Sequence, residues 1–205
     1  MHCLDDLANG NQVIPNLQFS FGYGVGFKFS STKRGTCCGT FIACGADSAE
    51  RAILVDDIQQ PGVVFMNTVF LGHWFGKSAM GIVINPGAGG RLSIENCWFA
   101  GSVTKNIWMK SDKAMLSVKN SSFVSWDCNQ EGLSIPCIQI DAGKASFKYN
   151  WFGYGSGWGA GKNHKQLLAG KDIISLSFIG NTGETNYVID NLAGDKALIK
   201  DNIAN

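Results

Sequence analysis

Apolar residues recur in this chain in short alternating runs bounded by glycine or asparagine, and not at helical spacing. The clearest run is a four-residue segment, apolar at its first and third positions and mixed at its second and fourth. Its copies begin at Ile53, Ile82, Ile107, Ile138, Leu167 and Tyr187. Alternation with a period of two predicts β-strands with one buried face, and no stretch carries the i, i+3, i+4 pattern of a helix. The sequence therefore predicts an all-β protein.

A second recurring segment repeats the same residue types at the same phase. Its aromatic column is predicted to contain Phe19, Phe41, Phe70, Phe99, Phe123, Phe152, Phe178 and Ile203. Five residues earlier stands an apolar column of Phe65, Ile94, Val118, Phe147, Ile173 and Leu198. Three residues before the aromatic column stand Asn67, Asn96 and Asn120, and then Tyr149, Ser175 and Lys200. A sandwich or barrel does not require such columns, whereas a solenoid stacks equal positions of successive coils about 4.8 Å apart.

The asparagine column has a physical reason in such a stack. Asparagine tolerates the left-handed backbone conformation of a sharp corner, and its amide can bond to the asparagine of the next coil. The pattern apolar-x-Asn-x-x-Phe, variable loop, four-residue strand and short turn resembles the right-handed parallel β-helix of the pectate-lyase-like superfamily. The resemblance covers about residues 16–205. It implies about seven coils of about 24–29 residues, a rod about 35 Å long.

We expect residues 1–205 to form a single β-helix domain, either complete or a piece of a longer helix. The chain lacks the signatures of known enzymes of this fold. Polygalacturonase-like motifs would require Asn-Thr-Asp and Gly-His-Gly, but the chain has Asn67-Thr68-Val69 and Gly72-His73-Trp74. The resemblance therefore implies architecture, and no catalytic role is transferred from it.

The net charge and the composition restrict the classes of partner that the sequence predicts. The net charge is +1, from 17 basic and 16 acidic residues, which excludes a strongly basic nucleic-acid binder. No apolar run approaches the roughly 18 residues of a membrane span, so we predict neither a nucleic-acid nor a membrane partner. The first ten residues contain no signal-peptide pattern. We nevertheless expect an extracellular or periplasmic location.

The seven cysteines do not predict a metal site. They stand at positions 3, 37, 38, 44, 97, 128 and 137, with no CxxC pair. Cys97 and Cys137 are predicted to be buried in apolar strands, and a disulfide within the group at 37, 38 and 44 is left open. We predict no cofactor. A calcium site is left open, although such a site needs acidic groups close together and the sheet offers only well-separated ones.

In the resembled superfamily, the ligand groove runs along the sheet that contains the four-residue strand. Polar and aromatic residues gather on its outward positions and on the loops that precede it. Outward residues and loop aromatics of this kind favour a sugar-binding surface. The predicted polysaccharide-binding residues are Asp56, Asn85, Trp108, Gln139, Trp126, Trp158, His73 and Trp74.

For cleavage, Asp141 is the predicted catalytic acid or base, with Asp127, Glu131 or Asp190 as its partner. Glycoside hydrolysis needs two carboxyl groups about 5–10 Å apart. A lyase would instead use a base and a group that neutralises a uronate, which makes Lys110 the alternative catalytic residue. Acidic side chains outnumber basic ones on this face, so the sequence favours a glycoside hydrolase over a polysaccharide lyase.

Two alternatives come from other functional classes. A structural or adhesive module, such as the shaft of a trimeric phage tailspike, would pack outward apolar residues against sister chains. Leu54, Val83, Leu168 and Val188 would supply that stripe, and a homo-oligomer, trimeric in this case, would be the partner. A non-catalytic sugar-binding module is the other alternative.

Overall fold

The computed structural model of the chain describes residues 24–31, 37–47, 49–72, 79–102, 104–128, 135–153, 165–184 and 187–204, and the backbone of residues 11–15 and 19–21. Over these ranges the protein is all-β, with no α-helix and one short 3-10 turn at Gly194–Lys196. The expectation of an all-β fold is thereby confirmed. The strands Gly90–Glu95 and Ala114–Lys119 alternate buried apolar residues with outward residues that are mostly polar, as the period of two predicts.

The strands follow one another in a repeating order of three, which assigns each to one of three ladders. Ladder A contains β1 (Asn11–Pro15), β4 (Cys38–Ile42), β7 (Val63–Met66), β10 (Gly90–Glu95), β13 (Ala114–Lys119) and β20 (Ala197–Lys200). Ladder B contains β2 (Phe19–Phe21), β5 (Gly45–Asp47), β8 (Val69–Leu71), β11 (Trp98–Ala100), β14 (Ser122–Val124), β16 (Trp151–Gly153), β18 (Thr182–Gly183) and β21 (Ile203–Ala204). Ladder C contains β3 (Val25–Phe29), β6 (Arg51–Val55), β9 (Met80–Ile84), β12 (Ile107–Met109) and β19 (Val188–Asn191).

Two long strands join ladders C and A. In β15 (Ile138–Lys148) and β17 (Lys165–Ile179), the first half pairs within ladder C and the second half within ladder A. Ladders A and C therefore form one 13-stranded sheet, and ladder B is a separate 8-stranded sheet. All the described strand pairs are parallel. Parallel strands in curled sheets, visited in the order A, B, C, are compatible with a β-solenoid.

A left-handed residue marks the corner between ladders A and B in every described coil. Asn67, Asn96 and Asn120 have φ angles of 52°, 52° and 51°, and Nδ2 of Asn96 donates to Oδ1 of Asn67 at 2.6 Å. The predicted corner role of this column is thus confirmed. The other corner residues are Ala43, Tyr149, Gly180 and Asp201. Ser175 and Lys200, which the repeat alignment put in this column, lie within strands and are corrected to Gly180 and Asp201.

The aromatic column is confirmed over its central four members. Phe70, Phe99, Phe123 and Phe152 pair in register in ladder B. Their rings stack at 4.8, 4.8 and 5.0 Å between centroids. Such stacked pairs contribute about 1 kcal/mol each beyond the area they bury. The stack fills the core beneath this ladder.

The column was extended wrongly at both ends. Phe41 pairs with Phe65 in ladder A, and Ala46 is the residue aligned with Phe70. Phe178 likewise pairs with Phe147 in ladder A. Its ring approaches that of Phe152 across the core, with centroids 5.8 Å apart.

Four further positions of the repeat alignment need correction. Phe19 aligns with Gly45, one residue away from the aromatic column, and Ile203 aligns with Thr182. The apolar column of ladder A ends in Phe178 and Ile199, so Ile173 and Leu198 do not belong to it. Coils of unequal length move the phase, and apolar residues five positions apart in sequence are easily exchanged between two columns.

Directly after each corner residue comes an inward row that the repeat pattern did not reveal. It contains Cys44, Thr68, Cys97, Ser121, Asn150, Asn181 and Asn202. Asn150 donates through Nδ2 to Oδ1 of Asn181 at 3.0 Å, and Asn181 donates to Oδ1 of Asn202 at 2.9 Å. The same oxygens accept the backbone N–H of the preceding residue in the row at 3.0 Å. A buried amide ladder therefore satisfies the backbone at this corner.

No disulfide joins two of the described cysteines. Cys97 and Cys137 are buried, as predicted. Burial raises the pKa of the Cys97 thiol to about 11 and raises that of Cys137 beyond the ordinary range. Cys37, Cys38 and Cys44 are buried and form no disulfide. These thiols therefore serve as small core residues.

Candidate functional site

The outward face of ladder C carries the candidate site. Ile53, Ile82, Ile107, Ile138 and Leu167 stack in register, so the alignment of the first five copies is confirmed. Their second-position row faces outward with Lys28, Leu54, Val83, Trp108, Gln139, Leu168 and Asp190. Their fourth-position row contains Asp56, Asn85, Lys110 and Asp141. The copy at Phe27–Phe29, which the pattern search missed, has the same alternation and precedes the others.

Asp141 is held by two side chains of the second-position row. Nε1 of Trp108 donates to its Oδ2 at 2.7 Å, and Nε2 of Gln139 donates to its Oδ1 at 2.7 Å. Both carboxylate oxygens thus accept a hydrogen bond. This arrangement fixes the orientation of the carboxylate.

Two lysines flank the indole that binds Asp141. Nζ of Lys110 lies 3.9 Å from the centroid of the Trp108 ring, and Nζ of Lys105 lies 4.8 Å from it. Both distances are those of cation–π contacts. We call Lys105, Trp108, Lys110, Gln139 and Asp141 the Trp108 cluster. The cluster brings together four residues predicted from the sequence. Its fifth member is Lys105, a second basic residue near Asp141.

The acidity of Lys105 is perturbed by its surroundings. Burial lowers the pKa of its ammonium, and the carboxylates of Asp141 and Asp127 oppose that shift. Lys110 adds to the lowering through like-charge repulsion. A lowered pKa increases the fraction of neutral amine at a given pH, which is the form that accepts a proton.

Asp127 and Trp126 lie in the segment after β14, and both are buried. Asp127 has a φ of 53° and is 3% exposed. Its charge acts on Lys105, so it lies near the cluster. Trp126 is 1% exposed and packs edge-on against Phe152. Trp126 is therefore part of the core, and the expectation that it forms a sugar platform is corrected.

Asp56 and Asn85 form a separate polar group on neighbouring coils. Nδ2 of Asn85 donates to Oδ1 of Asp56 at 2.8 Å, and Nζ of Lys28 lies 3.9 Å from the other carboxylate oxygen. This exposed pair with Lys28 contributes less than about 1 kcal/mol. The group extends the polar face of ladder C along the axis of the stack.

The register of the last copy differs from the prediction. Ile189, and not Tyr187, aligns with Leu167, so Asp190 lies in the second-position row and not in the row of Asp141. Its carboxylate binds Nζ of Lys165 at 2.6 Å. The predicted pairing of Asp190 with Asp141 along one row is therefore wrong.

The outward apolar stripe is also different. Val83 is 2% exposed, and Leu54 and Leu168 are half-buried. Val188 pairs with Lys165, before the start of that row. The described residues therefore present no continuous apolar stripe along ladder C. Glu131, Trp158, His73 and Trp74 lie outside the described residues.

The outward face of ladder A holds residues that the sequence analysis overlooked. A row of serines lines two adjoining open depressions there, of about 390 and 470 Å³. The signal was present in the segments LSIE, LSVK, ASFK and SLSF, which carry a serine at equivalent or adjacent positions. The apolar and asparagine columns of the same segments give a stronger repeat signal and obscure it.

No protein family, curated protein or solved structure matches this chain. In the described ranges, no helix is long and apolar enough to cross a membrane. The same ranges contain no group of three or more His, Cys, Asp or Glu side chains arranged to hold a metal ion. Function therefore has to be argued from the surfaces themselves.

Proposed function

We propose that this protein is a right-handed parallel β-helix of the pectate-lyase-like kind that binds an extended acidic polysaccharide along ladder C and cleaves it. Three parallel ladders visited in a fixed order support the architecture. Right-handedness is supported by the rule that crossover connections between parallel strands are right-handed in almost all proteins. The number of coils and the extent of the domain stay predictions, as does an extracellular or periplasmic location.

The observation that carries the proposal is the Trp108 cluster. It combines two cations, an oriented carboxylate and an amide within the span of two neighbouring strands. Lysines attract a uronate carboxylate, while Gln139 and Asp141 offer groups that bind sugar hydroxyls. An extended sugar chain following the axis of the stack would next meet Asn85 and Asp56.

The same cluster supports elimination more than hydrolysis. Asp141 accepts hydrogen bonds on both oxygens, which suits a positioning group and not an acid that must hold a proton. In an elimination, the neutral amine of Lys105 would take the proton beside the uronate carboxylate. The electrons of that C–H bond would form the new C=C bond, the C–O bond to the neighbouring sugar would break, and the leaving oxygen would be protonated by water.

The test incubates the purified chain with polygalacturonate, alginate and a neutral β-glucan, and records unsaturated products and new reducing ends together. We expect unsaturated products from a uronate polymer. Lys105→Arg should abolish them while binding persists, because arginine keeps the charge and cannot deprotonate. Lys200→Ala, an exposed lysine in ladder A, is the matched control and should behave like the parent.

The pH profile gives a second readout of Lys105. The rate should rise as Lys105 loses its proton, and it should do so at a lower pH than an ordinary lysine allows, because burial lowers its pKa. New reducing ends without unsaturation, lost in Asp141→Asn, would instead establish a hydrolase. Absence of both binding and cleavage with all three polymers would refute the proposal.

A second candidate function is a structural or adhesive shaft. Large apolar side chains are exposed in the region of β17 to β21, among them Leu192 at 65%, Ile203 at 58% and Leu198 at 52%. Exposed apolar residues of this size favour contact with other chains. A stable oligomer in sedimentation, lost in a Leu192→Ser and Leu198→Ser double variant, would support this candidate.

A further inference from the structure

The outward face of ladder A carries four serines that stand side by side. Ser93 pairs with Ser117, Ser117 with Ser146, and Ser146 with Ser177, which sets neighbouring serines about 4.8 Å apart. All four are half-buried. Within the described ranges none of their hydroxyls has a hydrogen-bond partner. Partly desolvated hydroxyls without partners gain most from a polar ligand.

Basic side chains border the serine row. Arg91 and Lys144 line one depression on either side of Met115, and no carboxylate belongs to that lining. Neither cation forms an ion pair with a described residue. Lys148 on the opposite border is likewise without an ion pair in the described part of the chain. The lining of this second depression also contains Lys119 and Glu95, which form an ion pair with Nζ of Lys119 2.9 Å from the Glu95 carboxylate.

An exposed aromatic ring stands at the corner beside the row, three residues after Ser146. Tyr149 occupies the corner column of Asn67, Asn96 and Asn120, and it is 65% exposed. Its ring lies over Gly180 on the next coil, where an added Cβ would come within 2.8 Å of two ring carbons. The glycine thus allows the ring to lie flat against the backbone. A fixed, exposed ring of this kind is suited to stacking on the face of a sugar.

From these features we infer that the face of ladder A bordered by Arg91, Lys144, Lys148 and Tyr149 is a second binding groove, and that it takes an acidic oligosaccharide. The serine row donates to sugar hydroxyls and ring oxygens. The cations bind carboxylate or sulfate groups, and Tyr149 stacks on a sugar ring at the side of the groove. This groove lies on a different face from the Trp108 cluster, so the inference does not depend on the proposed function.

The size of the depressions fits this class of ligand. Each has a volume, about 390 and 470 Å³, within the usual range of small-molecule sites. They share Ser93, Ser117 and Ser146, so together they form one continuous strip. A short oligosaccharide along the axis of the stack would contact one serine per coil.

The experiment is a calorimetric titration of a Lys105→Ala and Lys110→Ala background, which removes the cations of the Trp108 cluster. The probes are short oligomers of galacturonic acid, a sulfated oligosaccharide of equal length and a neutral cello-oligosaccharide. We expect the acidic probes to bind and the neutral one to bind far more weakly. Preference for carboxylate or sulfate then identifies the anionic group.

Three changes test the groove itself. Arg91→Ser with Lys144→Ser should weaken binding by roughly tenfold or more, because two charge-assisted contacts are lost. Ser117→Val removes the central hydroxyl with a residue that favours strands, and it should also weaken binding. Tyr149→Asn removes the ring and restores the corner residue of the preceding coils, so folding should be retained while binding falls.

Lys171→Ser with Lys196→Ser is the control, since both lysines are exposed and neither lines the depressions. It removes the same charge and should bind like the background protein. Circular dichroism melting curves establish that each variant is folded. The inference is overturned if no acidic probe binds the folded background, if the groove variants bind as it does, or if the control variant loses as much affinity as they do.

Discussion

Two rows of asparagine meet at the corner between ladders A and B, and they serve the fold in different ways. Asn67, Asn96 and Asn120 point outward, and their value is a backbone that accepts a left-handed corner. Asn150 and Asn181 point inward and are 1% and 0% exposed. Their amides supply the hydrogen bonds that buried backbone groups would otherwise lack. The row in which an asparagine stands therefore decides whether the conformation or the amide matters.

The rows also exchange roles along the chain. Where the outward row holds asparagine, the inward row holds the small residues Thr68, Cys97 and Ser121. From Tyr149 onward the outward row has other residues, and the inward row becomes asparagine. The inward ladder spans three successive coils, whereas the outward amide contact of the described residues joins Asn96 and Asn67. The comparison predicts graded losses of stability, which the following substitutions test.

The largest effect should come from Asn181→Ala. Its Nδ2 donates to the Phe147 carbonyl, and its Oδ1 accepts from the backbone and side chain of Asn150. Alanine leaves these buried groups unpaired, which should lower the free energy of unfolding by about 3 kcal/mol. Urea unfolding measures the change. Asn181→Ser should recover part of it, and a loss as small as that of a surface variant would contradict the buried-ladder account.

A smaller loss is expected from Ser121→Ala, which lies two coils earlier in the inward row. Oγ of Ser121 accepts the backbone N–H of Cys97 at 3.1 Å and donates to the Lys119 carbonyl. Without it, one buried N–H loses its partner, at a cost of about 1.5 kcal/mol. Ser122→Ala, at the neighbouring half-buried position, should change stability by less than about 0.5 kcal/mol. Equal effects for both variants would mean that the inward row has no special role.

In the outward row, the contribution of Asn96 to stability should come from its backbone conformation more than from its amide. Asn96→Ala keeps a φ of about 52° with a residue that disfavours it, so stability should fall by about 1 kcal/mol. Asn96→Gly removes the same amide contact without that strain, so the stability of this variant should fall by less. Thermal melts of the pair decide the point, because a greater loss for the glycine variant would assign the main effect to the amide.

The smallest effect is expected from Tyr149→Asn. This change inserts the residue of three earlier corners at a φ of 58°, and it uncovers Gly180. We expect a change within about 0.5 kcal/mol, measured by urea unfolding alongside the loss of acidic oligosaccharide binding. A large loss of stability would show that the ring serves the fold, and binding could not then be interpreted through this variant.

Sequence-based alignment was most accurate where one residue type repeats and few other residues of the same type stand nearby in the segment. The stacked Phe70, Phe99 and Phe123 and the outward asparagines were aligned correctly, since a solenoid repeats both conformation and environment. It failed where apolar residues stand in two columns of the same segment. Phe41 and Phe178 were assigned to ladder B although they belong to ladder A.

For the candidate site, the sequence named the outward residues but not their partners. It placed Trp108, Gln139 and Asp141 on one face, which the register bears out. The hydrogen bonds that join them could not be inferred, because they depend on side-chain directions on two different coils. The register places Asp190 two positions away from its predicted alignment, and the pairing of β17 with β19 contains an irregularity between Lys165 and Leu167 that no local pattern encodes.

By itself, the sequence determined the all-β class, the parallel ladders' repeating columns and the left-handed asparagine corners. These features are local, because alternation and corner conformation depend on residues a few positions apart. Only the tertiary structure decided which outward groups meet, which indole is buried and where hydroxyls are left without partners. Those outcomes depend on the length of each intervening loop and on the register between coils, and both arise from packing of the whole stack.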